Sequence, residues 1–119
     1  MSDHKFVHIE IPASDPKAAG KFYADLFGWK IESFAELDYV TFDGGEGPGG
    51  GFPKVGDDFK PGDVTAYIGV DDIDATLANI EKMGGKTVTP KTEIAQTGWY
   101  AIFLDPTGNK LGLYTAVQS

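Results

Sequence analysis

Two segments of the chain carry the same succession of hydrophobic and polar positions. Residues 6–11 alternate as a half-buried strand does, and residues 64–68 repeat that alternation. A constant shift of 57 positions then continues without gaps through the residues that follow. It places Asp15 on Asp72, Ala18 on Ala75, Leu26 on Met83 and Gly28 on Gly85. Such a repeat predicts that one supersecondary unit occurs twice.

Each repeat contains an amphipathic helix with recognisable ends. In the first, Asp15 is a favourable N-cap, Pro16 suits the first helical position and Gly28 follows the last apolar turn, so a helix is predicted near residues 15–27. The second helix is predicted to start and stop in the same way. The stripes predicted to face a sheet are Ala19, Phe22, Tyr23 and Leu26 in the first helix, and Ile73, Leu77 and Ile80, between Asp72 and Gly84, in the second.

Short β-rich runs separated by turn residues follow each helix. They cover residues 29–34, 39–42 and 51–52 in the first repeat, and 86–88, 99–104 and 110–115 in the second. Residues 54–63 have no periodicity and are interpreted as a linker, with a boundary near residue 60. The predicted fold is one α+β domain over residues 1–119, built from two tandem βαβββ modules at residues 5–55 and 63–116.

Composition narrows the class of protein. A chain of 119 residues with 41% hydrophobic positions is the size of one domain and can bury a core. It has no cysteine, which excludes disulfides, thiolate zinc sites and a cysteine nucleophile. A net charge of −8 argues against nucleic acid as a partner. Neither a signal sequence nor a membrane span is apparent, so we expect a cytoplasmic protein without a membrane partner.

The glycine-rich segment at residues 44–51 invites comparison with phosphate-binding loops. No Gly-Lys-Ser/Thr follows it, no helix is predicted after it, and Pro48 removes a backbone donor. We interpret it as a flexible loop.

Three motifs, in order along the chain, resemble the vicinal oxygen chelate superfamily, which includes glyoxalase I, bleomycin-resistance proteins and extradiol dioxygenases. The motifs are His8–Pro12 followed by Asp15, Phe22–Tyr23 and Leu26–Trp29; then Ile68–Ala75; then Phe103–Asn109. The resemblance covers nearly the whole chain. It implies that the two modules pair into a cupped, open mixed β-barrel with flanking helices. It also implies a small-molecule ligand on the concave side and a homodimer.

In the metal-dependent members of that superfamily, four strands supply His, Glu or Gln ligands to a divalent ion. The resemblance places those positions at His8, Gly51, Thr65 and Gly112, of which only His8 keeps a ligand-type side chain. We therefore expect no metal cofactor.

Strand alternation predicts which side chains line the cup. His8 and Glu10 project from one strand face and are the candidate catalytic groups. Of Trp99 and Tyr100 at the rim, one is expected to touch a ligand and the other to be buried. The predicted ligand-binding residues are Thr65, Tyr67, Trp99 and Tyr114, and the residues expected to pack against the helices are Val7, Ile9, Ile11, Ile68 and Val70.

Three functions remain open at this point. The first is a small-molecule-binding protein without the family metal site. The second is a metal-dependent lyase, isomerase or dioxygenase, and the third is a protein that sequesters a drug without turnover. Fold alone does not choose among them.

Overall fold

The computed structural model describes residues 4–37 and 39–117, which divide into two compact units. The first unit is His8–Thr65, and the second comprises the described residues up to Val7 together with those from Ala66 onward. Both units combine strands with one helix, so the predicted α+β class is confirmed. Within the described residues, no helix has the length and apolar character needed to cross a membrane.

The first unit places one helix against a small mixed sheet. Its elements are β1 (Phe6–Glu10, of which His8–Glu10 belong to this unit), α1 (Pro16–Phe27), β2 (Lys30–Phe34), a short 3₁₀ helix (Ala35–Leu37), β3 (Tyr39–Asp43) and β4 (Gly49–Gly51). The strands are hydrogen-bonded in the order β2-β3-β4-β1, with β1 parallel to β4 and the other pairs antiparallel. The 3₁₀ helix was not predicted from the sequence.

The second unit also combines one helix with a mixed sheet. Its elements are β5 (Thr65–Gly69, of which Ala66–Gly69 belong to this unit), α2 (Ile73–Lys82), β6 (Lys86–Ile94), β7 (Gly98–Leu104) and β8 (Lys110–Ala116). The strand order is β5-β8-β7-β6, with β5 parallel to β8 and the remaining pairs antiparallel.

The ends of both helices follow the predicted capping chemistry. The Asp15 carboxylate accepts a hydrogen bond from the backbone N–H of Ala18 at 3.2 Å, and Gly28 ends α1 with a left-handed backbone. In α2, the Asp72 carboxylate accepts from the N–H of Ala75 at 3.0 Å. The starts of both helices predicted from the sequence are confirmed.

The apolar stripe of α1 differs from the prediction. Ala19 and Tyr23 pack against the core of the first unit, but Phe22 and Leu26 are 58% and 60% exposed. The buried centre of the stripe is Gly20, where an added Cβ atom would lie 2.8 Å from a methyl group of Ile31. Because a glycine allows this close approach and does not register as hydrophobic, the pattern predicted a stripe rotated from the observed one.

Each unit has its own core. In the first, Ile9 and Ile11 pack as predicted around the buried residues Ala13, Val40, Phe42 and Phe52. Val7 was expected to join them but is exposed, because only His8–Glu10 of β1 pair with β4. In the second, Ile68 and Val70 pack as predicted with the α2 stripe and with Ala101, Phe103 and Leu113.

β6 is longer than predicted. The sequence indicated a strand over residues 86–88, yet β6 runs through Pro90 to Ile94. The strand lies at the end of the order β5-β8-β7-β6, and its pairing with β7 is interrupted between Thr87 and Thr89 and between Thr89 and Thr92. Proline is tolerated at an edge strand and at a bulge, since its missing N–H costs no ladder bond there.

The glycine-rich segment is only partly a loop. Gly49–Gly51 form β4, which lies between β1 and β3. A Cβ atom at Gly49 would fall 2.6 Å from the carbonyl oxygen of Phe42, and one at Gly50 would overlap the carbonyl oxygen of Ile9. Glycine is needed here because neighbouring backbone fills the space of a side chain. The loop interpretation was therefore wrong for Gly49 and Gly50, whereas Gly51 also belonged to the predicted β-rich run at residues 51–52.

Candidate functional site

His8 and Glu10 lie two residues apart on β1, so their side chains project from the same face of the strand. The strand pairs with β4 in register, His8 opposite Gly49 and Glu10 opposite Gly51. Between them, Ile9 faces the core of the first unit. The strand thus separates an apolar face from a face carrying an imidazole and a carboxylate.

Tyr39, the first residue of β3, joins these two groups. Its hydroxyl lies 3.2 Å from Nε2 of His8 and donates a hydrogen bond to Oε2 of Glu10 at 3.3 Å. The direct distance between His8 Nε2 and Glu10 Oε2 is 3.8 Å. We refer to these three side chains as the His8–Tyr39–Glu10 cluster. Sequence analysis missed Tyr39, because it lies about thirty residues from its partners and no local pattern distinguishes it from a strand tyrosine.

The environment of Tyr39 holds its hydroxyl in the protonated form. Burial raises the pKa of Tyr39 well above its usual range, since a phenolate would lose its hydration. The negative charge of Glu10 and the hydrogen bond to that carboxylate raise the pKa further. Tyr39 is consequently a neutral hydrogen-bond donor at physiological pH.

The same tyrosine decides whether the first unit could hold the divalent ion of metal-dependent relatives. The Tyr39 ring lies over Gly51, and a Cβ atom at position 51 would overlap both the hydroxyl and the ring. A ligating side chain has no room at that position while Tyr39 stays in place. Thr65 is buried, and its hydroxyl donates to the backbone carbonyl of Asp63 at 3.2 Å. These residues do not fit the metal.

A tyrosine ring also covers a glycine in the second unit, although from a different strand pair. Gly112 on β8 pairs with Tyr67 on β5, and the Tyr67 ring covers the glycine so closely that an added Cβ atom would overlap it. Among residues 4–37 and 39–117, no group of three His, Asp or Glu side chains is arranged to hold a metal ion.

The aromatic residues of the second unit divide between the two faces of the sheet. Tyr67 contacts Tyr100 edge to face, with ring centroids 6.5 Å apart, and Tyr100 lies opposite Tyr114 in the β7–β8 pair. Trp99 instead packs against the core that contains α2, with Nζ of Lys91 4.7 Å from its ring centroid. Of the two rim aromatics, Tyr100 thus joins the other tyrosines and Trp99 does not.

Tyr114 is engaged with the backbone. Its hydroxyl donates to the carbonyl oxygen of Thr97 at 3.0 Å, and partial burial raises its pKa. Tyr67 is almost fully buried, so little of its side chain faces solvent. Among the predicted site residues, the partly exposed polar groups that lie together are therefore His8 and Glu10, which Tyr39 joins into one cluster.

Known proteins are similar to this chain in sequence and in fold. The family model of the Glyoxalase/Bleomycin resistance protein/Dioxygenase superfamily matches residues 5–113. The chain belongs to this superfamily. A glyoxylase-like domain-containing protein of Didymella fabae, 33% identical over 118 residues, matches 90% of each chain.

Other known proteins are similar to this chain over different lengths. CFP32 of Mycobacterium tuberculosis, whose name assigns it provisionally to the glyoxylases, is 29% identical over 126 residues, covering 91% of this chain. The present chain spans 44% of the length of that relative. Among solved structures, methylmalonyl-CoA epimerase from Mycobacterium tuberculosis superposes with a TM-score of 0.71 at 15% identity, over 96% of this chain and 89% of the epimerase. At that identity the similarity establishes the fold.

Proposed function

We propose that the protein binds a small organic molecule at the His8–Tyr39–Glu10 cluster, without a divalent ion held by its own side chains. The observation that carries this proposal is the position of Tyr39. Its ring occupies the space above Gly51 from which a metal ligand would project, and its hydroxyl bridges His8 and Glu10. One residue thereby blocks a ligand position and organises two polar groups.

The cluster has the features of a binding site for a small molecule. A few convergent polar groups beside apolar and aromatic surface are the usual composition of such sites. The His8 and Glu10 side chains keep 33% and 15% of their surface exposed, so a ligand can reach them. If the bound molecule also reacts, His8 and Glu10 are the groups able to accept or deliver a proton, because an imidazole and a carboxylate are suited to acid–base work.

Metal analysis tests the first half of the proposal. The purified chain is incubated with Zn²⁺, Ni²⁺, Mn²⁺, Fe²⁺ or Mg²⁺, dialysed and measured by elemental analysis, beside a His8→Ala variant. We expect far less than one ion per chain and no difference between the two proteins. About one ion per chain, lost in His8→Ala, would contradict the proposal.

A ligand screen tests the second half. Small molecules are screened by thermal shift in the presence of a chelator, and each hit is measured again on Glu10→Gln and on Glu81→Gln. Glu81 is exposed on α2, so the second variant removes the same charge away from the site. We expect the shift in Tm to shrink only in Glu10→Gln. Hits that appear only when the chelator is left out would contradict binding without metal, and hits that respond equally in both variants would place the binding site elsewhere.

A further inference from the structure

Asp43 and Gly44 lie where β3 ends and the glycine-rich connection to β4 begins. Asp43 is the last residue of β3, and residues 43–48 are exposed. Asp43 is the only aspartate or asparagine in the sequence that is followed by glycine. Because glycine has no side chain to shield its backbone nitrogen, that nitrogen can approach the preceding side chain closely.

The Asp43 carboxylate is folded back over the chain that follows it. Its Oδ1 accepts a hydrogen bond from the backbone N–H of Gly45 at 2.9 Å. The carboxyl group therefore lies beside the backbone, and a rotation of the Asp43–Gly44 peptide brings the Gly44 nitrogen to its carbon. An N–H directed at Oδ1 also stabilises negative charge that develops on this oxygen when the carboxyl carbon is attacked.

The fold offers little resistance to that rotation. Asp43 and Lys30 form the terminal pair of the β2–β3 ladder, and the ends of such ladders open at the lowest cost in free energy. Gly44 and Gly45 lie outside the strands, and Gly45 has a φ of 111°. Glycine adopts many other backbone conformations equally well, so the segment can rearrange while the rest of the sheet stays paired.

We propose that Asp43–Gly44 is a modification site, at which aspartate converts to isoaspartate through a cyclic imide. The Gly44 nitrogen bonds to the Asp43 carboxyl carbon, and the nitrogen's proton leaves with the carboxyl hydroxyl as water. Water then adds back to one of the two imide carbonyls. Addition at the side-chain carbonyl restores aspartate, whereas addition at the backbone carbonyl gives isoaspartate. The water lost is regained, and nothing is oxidised or reduced.

The product alters the connection between β3 and β4. Isoaspartate leads the backbone through the β-carbon of residue 43, which lengthens the chain by one atom and leaves the α-carboxylate as a side group. Trp29 lies against this connection, since a Cβ atom on Gly44 would be 3.1 Å from its Nε1. Trp29 in turn stacks on Phe42, with ring centroids 4.6 Å apart. The inference is independent of the proposed function, because Tyr39 lies at the opposite end of β3.

Ageing of the folded protein tests the site. The purified chain is incubated for weeks at physiological temperature and pH. Isoaspartate is counted with a carboxyl methyltransferase, which transfers a labelled methyl group from S-adenosylmethionine to the α-carboxylate of isoaspartate, and peptide mapping locates the residue. We expect isoaspartate at position 43, and several-fold less in Asp43→Glu, where the imide would be a larger ring. No accumulation, or isoaspartate at another residue instead, would overturn the inference.

Asp43→Asn tests whether the Gly44 nitrogen reaches the side chain. The same imide then forms with loss of ammonia, and the peptide gains the mass of deamidation. Asn109 is a control within the same chain, because it is exposed, precedes lysine and donates to Oδ2 of Asp105 at 3.0 Å. We expect deamidation at position 43 to be several-fold faster than at Asn109. Equal rates would show that the Gly44 nitrogen has no special access.

Gly44→Ala tests the attacking residue. The added methyl group crowds the nitrogen, and we expect isoaspartate to form several-fold more slowly. Loosening of the fold by this variant would act in the opposite direction, so slower formation cannot result from lost structure. Gly56→Ala is the control, since a Cβ atom there meets nothing closer than 4.0 Å. An unchanged rate in Gly44→Ala would overturn the mechanism.

Fluorescence tests the structural consequence. The chain has two tryptophans, so a Trp99→Phe variant leaves Trp29 as the only one. We expect its emission to shift to longer wavelength in step with isoaspartate, and to stay constant when Asp43→Glu is added. Constant emission while isoaspartate accumulates would contradict the effect on Trp29.

Discussion

The phenol ring of Tyr39 lies over Gly51, so that the first residue of β3 fills the side-chain space of the last residue of β4. β3 and β4 pair antiparallel, and the Tyr39 ring extends from β3 over the neighbouring strand β4. Gly51 is required by the Tyr39 ring, whose hydroxyl contacts the side chains of His8 and Glu10 on β1. The packing at Gly51 and the hydrogen bonds of the His8–Tyr39–Glu10 cluster therefore depend on the same side chain, that of Tyr39.

Gly51→Ala should lower the free energy of unfolding by about 1–3 kcal/mol, because the added methyl group overpacks the site beneath the Tyr39 ring. Urea unfolding measures the change. Gly56→Ala is the matched control, since a Cβ atom there meets nothing closer than 4.0 Å. In a double-mutant cycle, Tyr39→Ala should relieve part of the cost of Gly51→Ala. Additive effects would show that the ring is not the obstacle.

Stability at alkaline pH should depend on Tyr39. Its pKa in the folded state lies above the value of about 10 in the unfolded chain. Its contribution is therefore complete below about pH 10 and is lost as pH rises, because the unfolded state releases the proton first. Urea unfolding across this range should show a steeper alkaline decline in wild type than in Tyr39→Phe, with Glu10→Gln between them. Parallel curves for wild type and Tyr39→Phe would contradict the shift.

Gly20→Ala should fail to stabilise α1. In an open helix the change would gain about 1 kcal/mol, but here the added Cβ atom lies 2.8 Å from the Ile31 methyl group. We expect a net loss of about 1–2 kcal/mol, the usual cost of modest overpacking. Thermal unfolding measures it, and Gly20→Ala combined with Ile31→Ala should lose less than the sum. A more stable single variant would disprove the tight contact.

Trp99→Ala and Tyr100→Ala should lower the free energy of unfolding by different amounts. Trp99→Ala removes a ring that packs against the buried core of the second unit, and we expect a loss of about 2–4 kcal/mol. Tyr100→Ala removes a ring from the other face and should cost less than half as much. Chemical unfolding of the two variants compares them directly. Equal losses would mean that both rings contribute to one core.

The sequence predicted the features that depend on neighbouring residues. The caps Asp15 and Asp72 could be predicted because each carboxylate accepts from a backbone N–H only three residues further along the chain. The α1 stripe was misplaced because Gly20 contributes to packing through its small size, which hydrophobic periodicity does not record. The extent of β6 past Pro90 depended on its edge position, which only the strand order reveals.

The candidate site was predicted only in part. The pair His8 and Glu10 followed from alternation along one strand. Tyr39 reaches them across β4, and its role arises from hydrogen bonds between residues far apart in the chain. Of Trp99 and Tyr100, one was expected to touch a ligand and the other to be buried. Which ring faced which way depended on the register of β7 with β8.

A strand of three glycines between β1 and β3 leaves β4 without any side chain on either face. The side chains of the site therefore come from the flanking strands β1 and β3. Position 51 can accept a larger residue only in a lineage that has already lost the ring at position 39. Loss of the aromatic ring at position 39 must therefore precede a larger residue at position 51. The residues at positions 39 and 51 should covary among homologous proteins.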